Sequence, residues 1–284
     1  MPWLLLFLVL AQAPAPDLQA RVQKLIDSSG AEVAVAVRTL DGRTEVLIEP
    51  DKSFHAASTM KVPIMVELFR QAEAGRLELD EQLPVRNEFH SIVDGSVYKM
   101  DVSDDSDGEV YKATGKTMSL RDLCEAMITM SSNFAANLLI ERVGAKNVQE
   151  TVTRMGGTGV LVLRGVEDQK AFDKGLNNAT TARGLAALME KIGAGKAVSA
   201  KADAQMIEIL KRQTFRDAIP AGLPKGTPVA HKTGTITRIH HDAAVVYGPR
   251  PYVIVVLVRG IQDQKISGPL MAAISRAVWN EIAK

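Results

Sequence analysis

Hydrophobic positions recur along this chain at two spacings, and the switches between them predict its layout. Over residues 17–28, Leu18, Val22, Leu25 and Ile26 share one face at helical spacing, so the segment predicts an amphipathic helix. Residues 31–37 alternate instead. Val33, Val35 and Val37 point one way, and Asp41-Gly42 turns the chain into residues 44–48, the pattern of a β-hairpin. Two further apolar strands, 243–247 and 252–258, are joined by Gly248-Pro249-Arg250-Pro251, which suits a short hairpin loop. Met271, Ile274, Val278 and Ile282 then mark a last helix.

The stretch between these strands is mostly helical. Residues 62–74 run to Gly75. Residues 119–130 open with Ser119 as N-cap and Asp122 three positions on, close to a capping box, while 133–143 stop at Gly144 and 181–192 at Gly193. Strands near both ends with helices between them predict an α+β fold (an α/β sandwich): one antiparallel sheet of about five strands with flanking helices, plus an inserted all-helical domain. The expected partition gives residues 17–57 and 213–284 to the α/β domain and 58–212 to the helical one, with an active site at their interface. Residues 101–109, acidic and rich in Ser and Asp, predict an exposed loop.

Composition narrows the class without naming a chemistry. The 284 residues carry 34 Lys and Arg against 33 Asp and Glu, a formal net charge of +1, which disfavours a nucleic-acid binder or an acidic tail protein. Hydrophobic residues make up 46%, enough for a packed core and against disorder. Cys124 is the only cysteine, so neither an intramolecular disulfide nor a multi-cysteine metal site can form. At helical spacing it lies beside Leu120, Met127 and Ile128, which predicts a buried core thiol. Residues 3–10 are an unbroken apolar run, too short for the roughly 20 residues a spanning helix needs. Small residues and prolines follow, so residues 1–13 are expected to be a signal peptide, cut after Ala11 or Ala13, with a periplasmic or secreted product that has no later membrane span. An uncleaved anchor is the alternative, since no Lys or Arg precedes the run.

Candidate chemistry enters with Ser-x-x-Lys, present twice as Ser58-Thr59-Met60-Lys61 and Ser96-Val97-Tyr98-Lys99. Ser58 opens an apolar helix, which puts Lys61 one turn on and on the same face. Ser96 follows Asp94-Gly95 in a polar stretch and is read as loop. A serine hydroxyl is a poor nucleophile until a base takes its proton, and a lysine can do so when burial or a second cation lowers its pKa. An N-cap serine beside a solvated lysine is the plain alternative. Pro63 leaves the carbonyl of Thr59 without its helical partner and predicts a bend here. Ser131-Ser132-Asn133 at a helix junction and His231-Lys232-Thr233-Gly234-Thr235 on a strand complete the set. Ser-x-x-Lys, Ser-x-Asn and Lys-Thr-Gly in this order form a strong signal.

With these motifs the sequence resembles the penicillin-recognising serine enzymes, and within them class A β-lactamases. The resemblance extends over essentially the whole chain after the leader, and includes residues 127–139 and the spacing from Lys232 to Gly248-Pro249. It implies a β-lactam substrate, no cofactor, no metal, no nucleic acid and a monomer. It also implies roles: Ser58 as nucleophile, Lys61 as base, and Ser131 as proton donor to the leaving nitrogen, held by Lys232. Asn133 would bond the substrate amide, Thr233 and Thr235 its carboxylate, and Gly234 belongs to the same strand. Backbone N–H groups of Ser58 and Thr235 would form the oxyanion hole. Ser132 stands where the family has Asp, a departure expected to affect local support.

Other departures leave choices open. Residues 164–178 lack the family's Glu-x-x-Leu-Asn, so the base for deacylation is either Glu167, counted from Arg164, or Asp173, counted from Leu176-Asn177. Glu167 is preferred for its longer reach and because Arg164 can pin the loop; Asn177 would help hold the water. Nine residues after Lys232 stands His241, where many relatives have a carboxylate-binding arginine; Arg238 is a substitute on the same strand. Adjacent His240 and His241 face opposite ways on a strand, against a metal site. Residues 85–109 lengthen the chain between Ser58 and Ser131 and are expected to border the cleft, with Tyr98 or Tyr111 at its mouth. Rival readings are a D-Ala-D-Ala carboxypeptidase or transpeptidase, a related esterase, or a protein that is acylated once and holds the adduct.

Overall fold

A computed structural model describes residues 17–283, so the expected signal peptide and its cleavage site lie outside the described residues. Five strands, β1 (Glu32–Thr39), β2 (Glu45–Ile48), β3 (Val229–Ile236), β4 (Ile239–Val246) and β5 (Tyr252–Arg259), form one antiparallel sheet in the order β2-β1-β5-β4-β3. The predicted fold class is the one observed. Val35 of β1 lies opposite Val256 of β5, so strands distant in sequence meet at the sheet's centre.

Nine helices surround the sheet among the described residues: α1 (Leu18–Asp27), α2 (Lys61–Glu73), α3 (Leu120–Thr129), α4 (Asn133–Val143), α5 (Ala145–Arg154), α6 (Gln169–Asp173), α7 (Ala182–Gly193), α8 (Ala200–Lys211) and α9 (Gln264–Ile282). The alternation of β1 decides which helix covers which face. Val33, Val35 and Val37 bury with Leu18, Val22 and Ile26 of α1 and with Met271, Ile274 and Val278 of α9. Ala34 and Ala36 face the other way and bury with Leu185, Leu188 and Met189 of α7. Alanine on that face lets α7 come close, and at Gly193 an added Cβ would lie 3.0 Å from Val245.

Local sequence sets the helix starts. Asp17 accepts the N–H of Ala20 at 2.7 Å, and Ser119 accepts that of Asp122 at 3.0 Å while donating to the Asp122 carboxylate at 2.7 Å, the expected capping pattern. Cys124 is fully buried, and burial pushes its thiol up to about 12. Strand β4 begins four residues earlier than the apolar run suggested. Its polar start, His240-His241-Asp242, is buried because each side chain finds a partner inside. The acidic stretch 101–109 is partly exposed as expected, yet Asp105 and Asp107 turn inward, and Asp107 is buried.

Candidate active site

Ser58 sits in a 3₁₀ turn, Ala57–Met60, that passes into α2 at Lys61, so the irregularity expected before Pro63 is a change of helix type. The turn is held from both sides. The ring Nδ1 of His55 accepts the N–H of Ala57 at 3.0 Å, and the carbonyl of Asn178 accepts that of Ala56 at 2.9 Å. Ala57 is left at φ 46°, a left-handed conformation that costs an L-residue energy. Gly234 of β3 packs against this turn. A Cβ there would come within 3.0 Å of the Thr59 nitrogen and 3.1 Å of the Ser58 nitrogen, so only glycine lets the strand lie along the Ser58 N–H.

Lys61 is fully buried beneath the serine. Its Nζ donates to Ser58 Oγ at 3.0 Å, to the Ser131 carbonyl at 2.6 Å and to Asn133 Oδ1 at 2.7 Å. Burial pulls its pKa down to about 7, while the negative charges of Asp105 and Glu167 hold it up. Lys232, also fully buried, donates to Ser131 Oγ at 2.9 Å and to its neighbour's carbonyl, that of Thr233, at 2.8 Å. Burial first, and then the charge of Lys61, hold Lys232 well below the ordinary lysine range. Two lysines thus flank Ser131, and neither gains from carrying a proton as a free lysine would. Ser131 itself has φ 61°.

Support for Ser131 comes from an unexpected place. Ser132 caps α4 by accepting the N–H of Ala135 at 3.2 Å. The Asp105 carboxylate accepts the N–H groups of Asn133 at 2.9 and 3.0 Å and of Phe134 at 2.9 Å. The inserted segment therefore brings a carboxylate to the helix start where the sequence has a serine in place of an aspartate. The motif reading missed Asp105, since nothing in its local sequence points to a helix 28 positions away.

Glu167 stands on the wall opposite, also left-handed at φ 61°, and open to the cleft. Asn133 Nδ2 donates to its Oε1 at 3.2 Å, so one asparagine bridges Lys61 and Glu167. Desolvation in the cleft, and then the charges of Asp104 and Asp105, raise its pKa. Arg164 pins the loop as expected, donating to the Leu176 carbonyl at 2.9 Å and to Asn177 Oδ1 at 3.2 Å. Asn137, not singled out from sequence, accepts the N–H of Val166 at 2.7 Å and occupies the space a Cβ on Gly165 would need, 2.2 Å away.

Two cavities meet at Ser58. One, about 380 Å³, is lined by His55, Ser58, Asn133, Glu167, Asn178 and Thr235; the other, about 270 Å³, by Ser58, Ser131, Thr233, Thr235, Asp217 and His240 among others. Several expected residues fall outside both. Asp173 is exposed at the end of α6, where it accepts from Gln169 at 2.6 Å. Asn177 is tied to Arg164; its neighbour Asn178 reaches the cavity, with its amide bound to the backbone of Leu163 and Arg164. Arg238 lies at the exposed β3–β4 turn and donates to the Gly260 carbonyl at 3.2 Å.

His241 does not line either cavity. It is fully buried, accepts the N–H of Val258 through Nδ1 at 3.1 Å and donates from Nε2 to the His55 carbonyl at 3.0 Å. Burial pulls its pKa down to about 4, which leaves it neutral at pH 7. The tight hairpin puts Ile236 opposite Ile239, so His240 is the residue across from Thr235, and it is His240 that faces the cleft. Counting along the strand without knowing the turn length picked the histidine on the other face. Neither tyrosine stands at the mouth. Tyr98 lies behind the loop and donates to the Val166 carbonyl at 3.0 Å, while Tyr111 packs on Phe134. The insertion does border the cleft, through Asp104 and Ser106. The second Ser-x-x-Lys copy is on the surface of that insertion, where Ser96 bonds Asp94 and Lys170.

A serine bonded to a buried lysine, with a second lysine–serine pair on one side and a carboxylate–amide pair on the other, is the set of groups that acyl transfer through a serine would use. The chain belongs to the β-lactamase enzyme family, which it matches over residues 17–282. It is 27% identical to β-lactamase CTX-M-97 of Escherichia coli over 226 residues, 78% of this chain and 73% of that protein. Among solved structures it is similar to PBP-A (28% identity, TM-score 0.80, 93% of this chain and 94% of that one), including a variant of PBP-A in acyl-enzyme complex with penicillin G. It is also similar to an ancestral class A β-lactamase (25% identity, TM-score 0.80, 93% and 99%).

Proposed function

We propose that this chain is a serine β-lactamase that opens the lactam amide through an ester on Ser58 and then hydrolyses that ester. The observation that carries this reading is that Glu167 and Asn133, bonded to each other at 3.2 Å, line the same cavity as Ser58, which leaves room for a water beside the ester. Lys61, with a pKa near neutrality, takes the Ser58 proton as Oγ attacks the carbonyl. The N–H groups of Ser58 and Thr235 receive the oxyanion, and Gly234 keeps their strand close. Ser131, held by Lys232, passes its proton to the departing nitrogen and is reprotonated by Lys61, 3.4 Å away, which carries the proton taken from Ser58. Water activated by Glu167 then attacks the acyl carbon, releasing Ser58. Thr233, Thr235 and His240 line the lobe that would receive the substrate carboxylate.

The same reading makes the protein an exported monomer, cleaved after residue 11 or 13, with the cleft between an α/β part (17–57 and 213–284) and a helical part (58–212). No helix among the described residues is long and apolar enough to cross a membrane. The likeness to PBP-A favours one second reading, acylation without efficient hydrolysis, as in a cell-wall D-Ala-D-Ala peptidase. Excess chromogenic cephalosporin decides between them. Colour that continues over many enzyme equivalents and vanishes in Ser58→Ala supports the β-lactamase; a single-equivalent burst supports the peptidase; no colour at all in the unaltered protein refutes both.

A further inference from the structure

Ser131 and Glu167 share two features: each is a non-glycine residue at φ 61°, and each is flanked by hydrogen bonds from one short stretch of chain. On the Ser131 side, Ser106 Oγ donates to the Met130 carbonyl at 2.7 Å, and the Asp105 carboxylate takes the N–H groups of Asn133 and Phe134. On the Glu167 side, Tyr98 donates to the Val166 carbonyl at 3.0 Å. Just beyond, Asp168 accepts from Ser91 Oγ and from the Ile92 N–H, both at 2.9 Å. Lys170 adds an outer tie to Asp94 at 2.7 Å. Left-handed backbone at an ordinary residue persists only where its surroundings over-determine it, and here residues 91–107 do so on both walls.

We propose that residues 91–107 form a clip that positions both proton-transfer groups, Asp105 with Ser106 setting Ser131 and Asn133, and Tyr98 with Ser91 setting Glu167. This rests on the roles given to Ser131 and Glu167 above. The two arms differ in reach. Asp105 bonds the backbone of Asn133, whose side chain holds both Lys61 and Glu167, so its arm governs acylation and extends to deacylation. Tyr98 bonds the residue before Glu167 and also accepts from Asn137 Nδ2 at 3.3 Å, so its arm governs deacylation. Asp105 further contributes charge. Lys61 is faced by Asp105 from the clip, Glu167 from the loop and Lys232 from β3, and Asp105 is the first of the charges that keep it protonated.

Two conservative variants separate the arms. Asp105→Asn keeps the shape but removes the charge and one acceptor. It should slow formation of the penicillin G adduct, followed by intact-protein mass, about tenfold, the equivalent of one charge-assisted hydrogen bond. The acid limb of acylation should move to lower pH, because Lys61 loses the charge that favours its protonated form. Adding Ser132→Asp should restore the rate by returning a carboxylate to the start of α4. Tyr98→Phe removes one hydroxyl; acylation should stay within about twofold, while the adduct persists longer. Equal loss of both steps in both variants, or no loss in either, overturns the proposal. Amide exchange without any β-lactam supplies an independent reading: faster exchange at Asn133 and Phe134 in Asp105→Asn, and across residues 166–168 in Tyr98→Phe, is expected, and unchanged exchange there overturns the clip. If the unaltered protein forms no adduct, the β-lactamase reading fails, and the exchange result still decides the clip.

Discussion

Replacing Glu167 with glutamine isolates the hydrolytic step with little else disturbed. The glutamine carbonyl can still accept the Asn133 amide that Oε1 accepts at 3.2 Å, and none of the Arg164 bonds that pin the loop involves the Glu167 side chain. The side chain is open to the cleft, so the change in packing is small, and loss of a charge-assisted acceptor is the main local effect. Removing a general base slows its step by about 10²- to 10⁴-fold, whereas Ser58, Lys61, Ser131 and Lys232 keep their side chains and Lys61 loses only the smaller of the two negative charges that favour its protonated form. The adduct should therefore accumulate to one equivalent and decay slowly, as read by intact-protein mass after mixing with penicillin G. Stability should move the other way. Desolvation, with Asp104 and Asp105 behind it, raises the folded-state pKa of Glu167, so the folded state binds this proton more readily than the unfolded one. Its contribution to stability is present below the unfolded pKa and is lost as pH rises through the raised value. At pH 7 the ionised carboxylate is thus a burden, and the Tm of Glu167→Gln should match or exceed that of the unaltered protein. Asp173→Asn, at an exposed position, should change neither rate nor Tm. Unchanged turnover in Glu167→Gln together with an adduct that persists in Asp173→Asn would refute the assignment.

Further outcomes follow from the same geometry. Gly234→Ala puts a methyl 3.0 Å from the Thr59 nitrogen, so the strand must draw back from Ser58, and acylation should fall by about the 10²-fold or more that a lost oxyanion donor costs; an unimpaired rate would show that β3 does not form the hole. Acylation of the unaltered protein should rise with pH through about 7 as Lys61 loses its proton, which a pH series of single-turnover rates checks. His241→Ala strands the Val258 N–H and should cost about 1–3 kcal/mol in denaturant unfolding, with near-normal turnover per folded molecule. His240→Ala should instead raise KM, more for substrates bearing a carboxylate than for their esters. Cys124, buried and with its thiol pushed up to about 12, should resist thiol reagents until the protein unfolds.

The parts of the fold and site that local spacing encodes were legible in the sequence, and the parts set by long-range register were not. Val33, Val35 and Val37 announced β1, and Ser119 with Asp122 announced α3, because the residues that interact are close in the chain. Ser58 and Lys61 were legible for the same reason, being one turn apart. Ser131 and Lys232 came from motif order rather than spacing, and the structure joins them at 2.9 Å. His240 could not be told from His241, because the choice depends on a two-residue hairpin that offers no glycine or asparagine at its turn; Thr237 and Arg238 make it instead, with Arg238 at φ 60°. Asp105, Tyr98 and Asn137 act through backbone groups of distant segments, and backbone groups leave no mark on the sequence that recruits them. The polar start of β4 is buried for a related reason: His231 and Asp242, 11 positions apart, satisfy each other at 3.0 Å inside the protein.

The central pairing of β1 with β5 also governs how the molecule can come into being. Val35 cannot find Val256 until everything between them has been made, so the sheet has only the β1–β2 hairpin to build on while α2 to α8 are being synthesised. A two-stranded hairpin is marginal alone, and closing so long a loop is entropically slow. Helices such as α3 and α4, whose contacts are local, can form early, but the turn bearing Ser58 needs β3 beside it at Gly234. The turn bearing Ser58 therefore gains its neighbouring strand only after residue 234 has been made. A chain in which β3 has not docked would keep the local contacts of α3 and α4 while the Ser58 turn lacks the strand that packs on it.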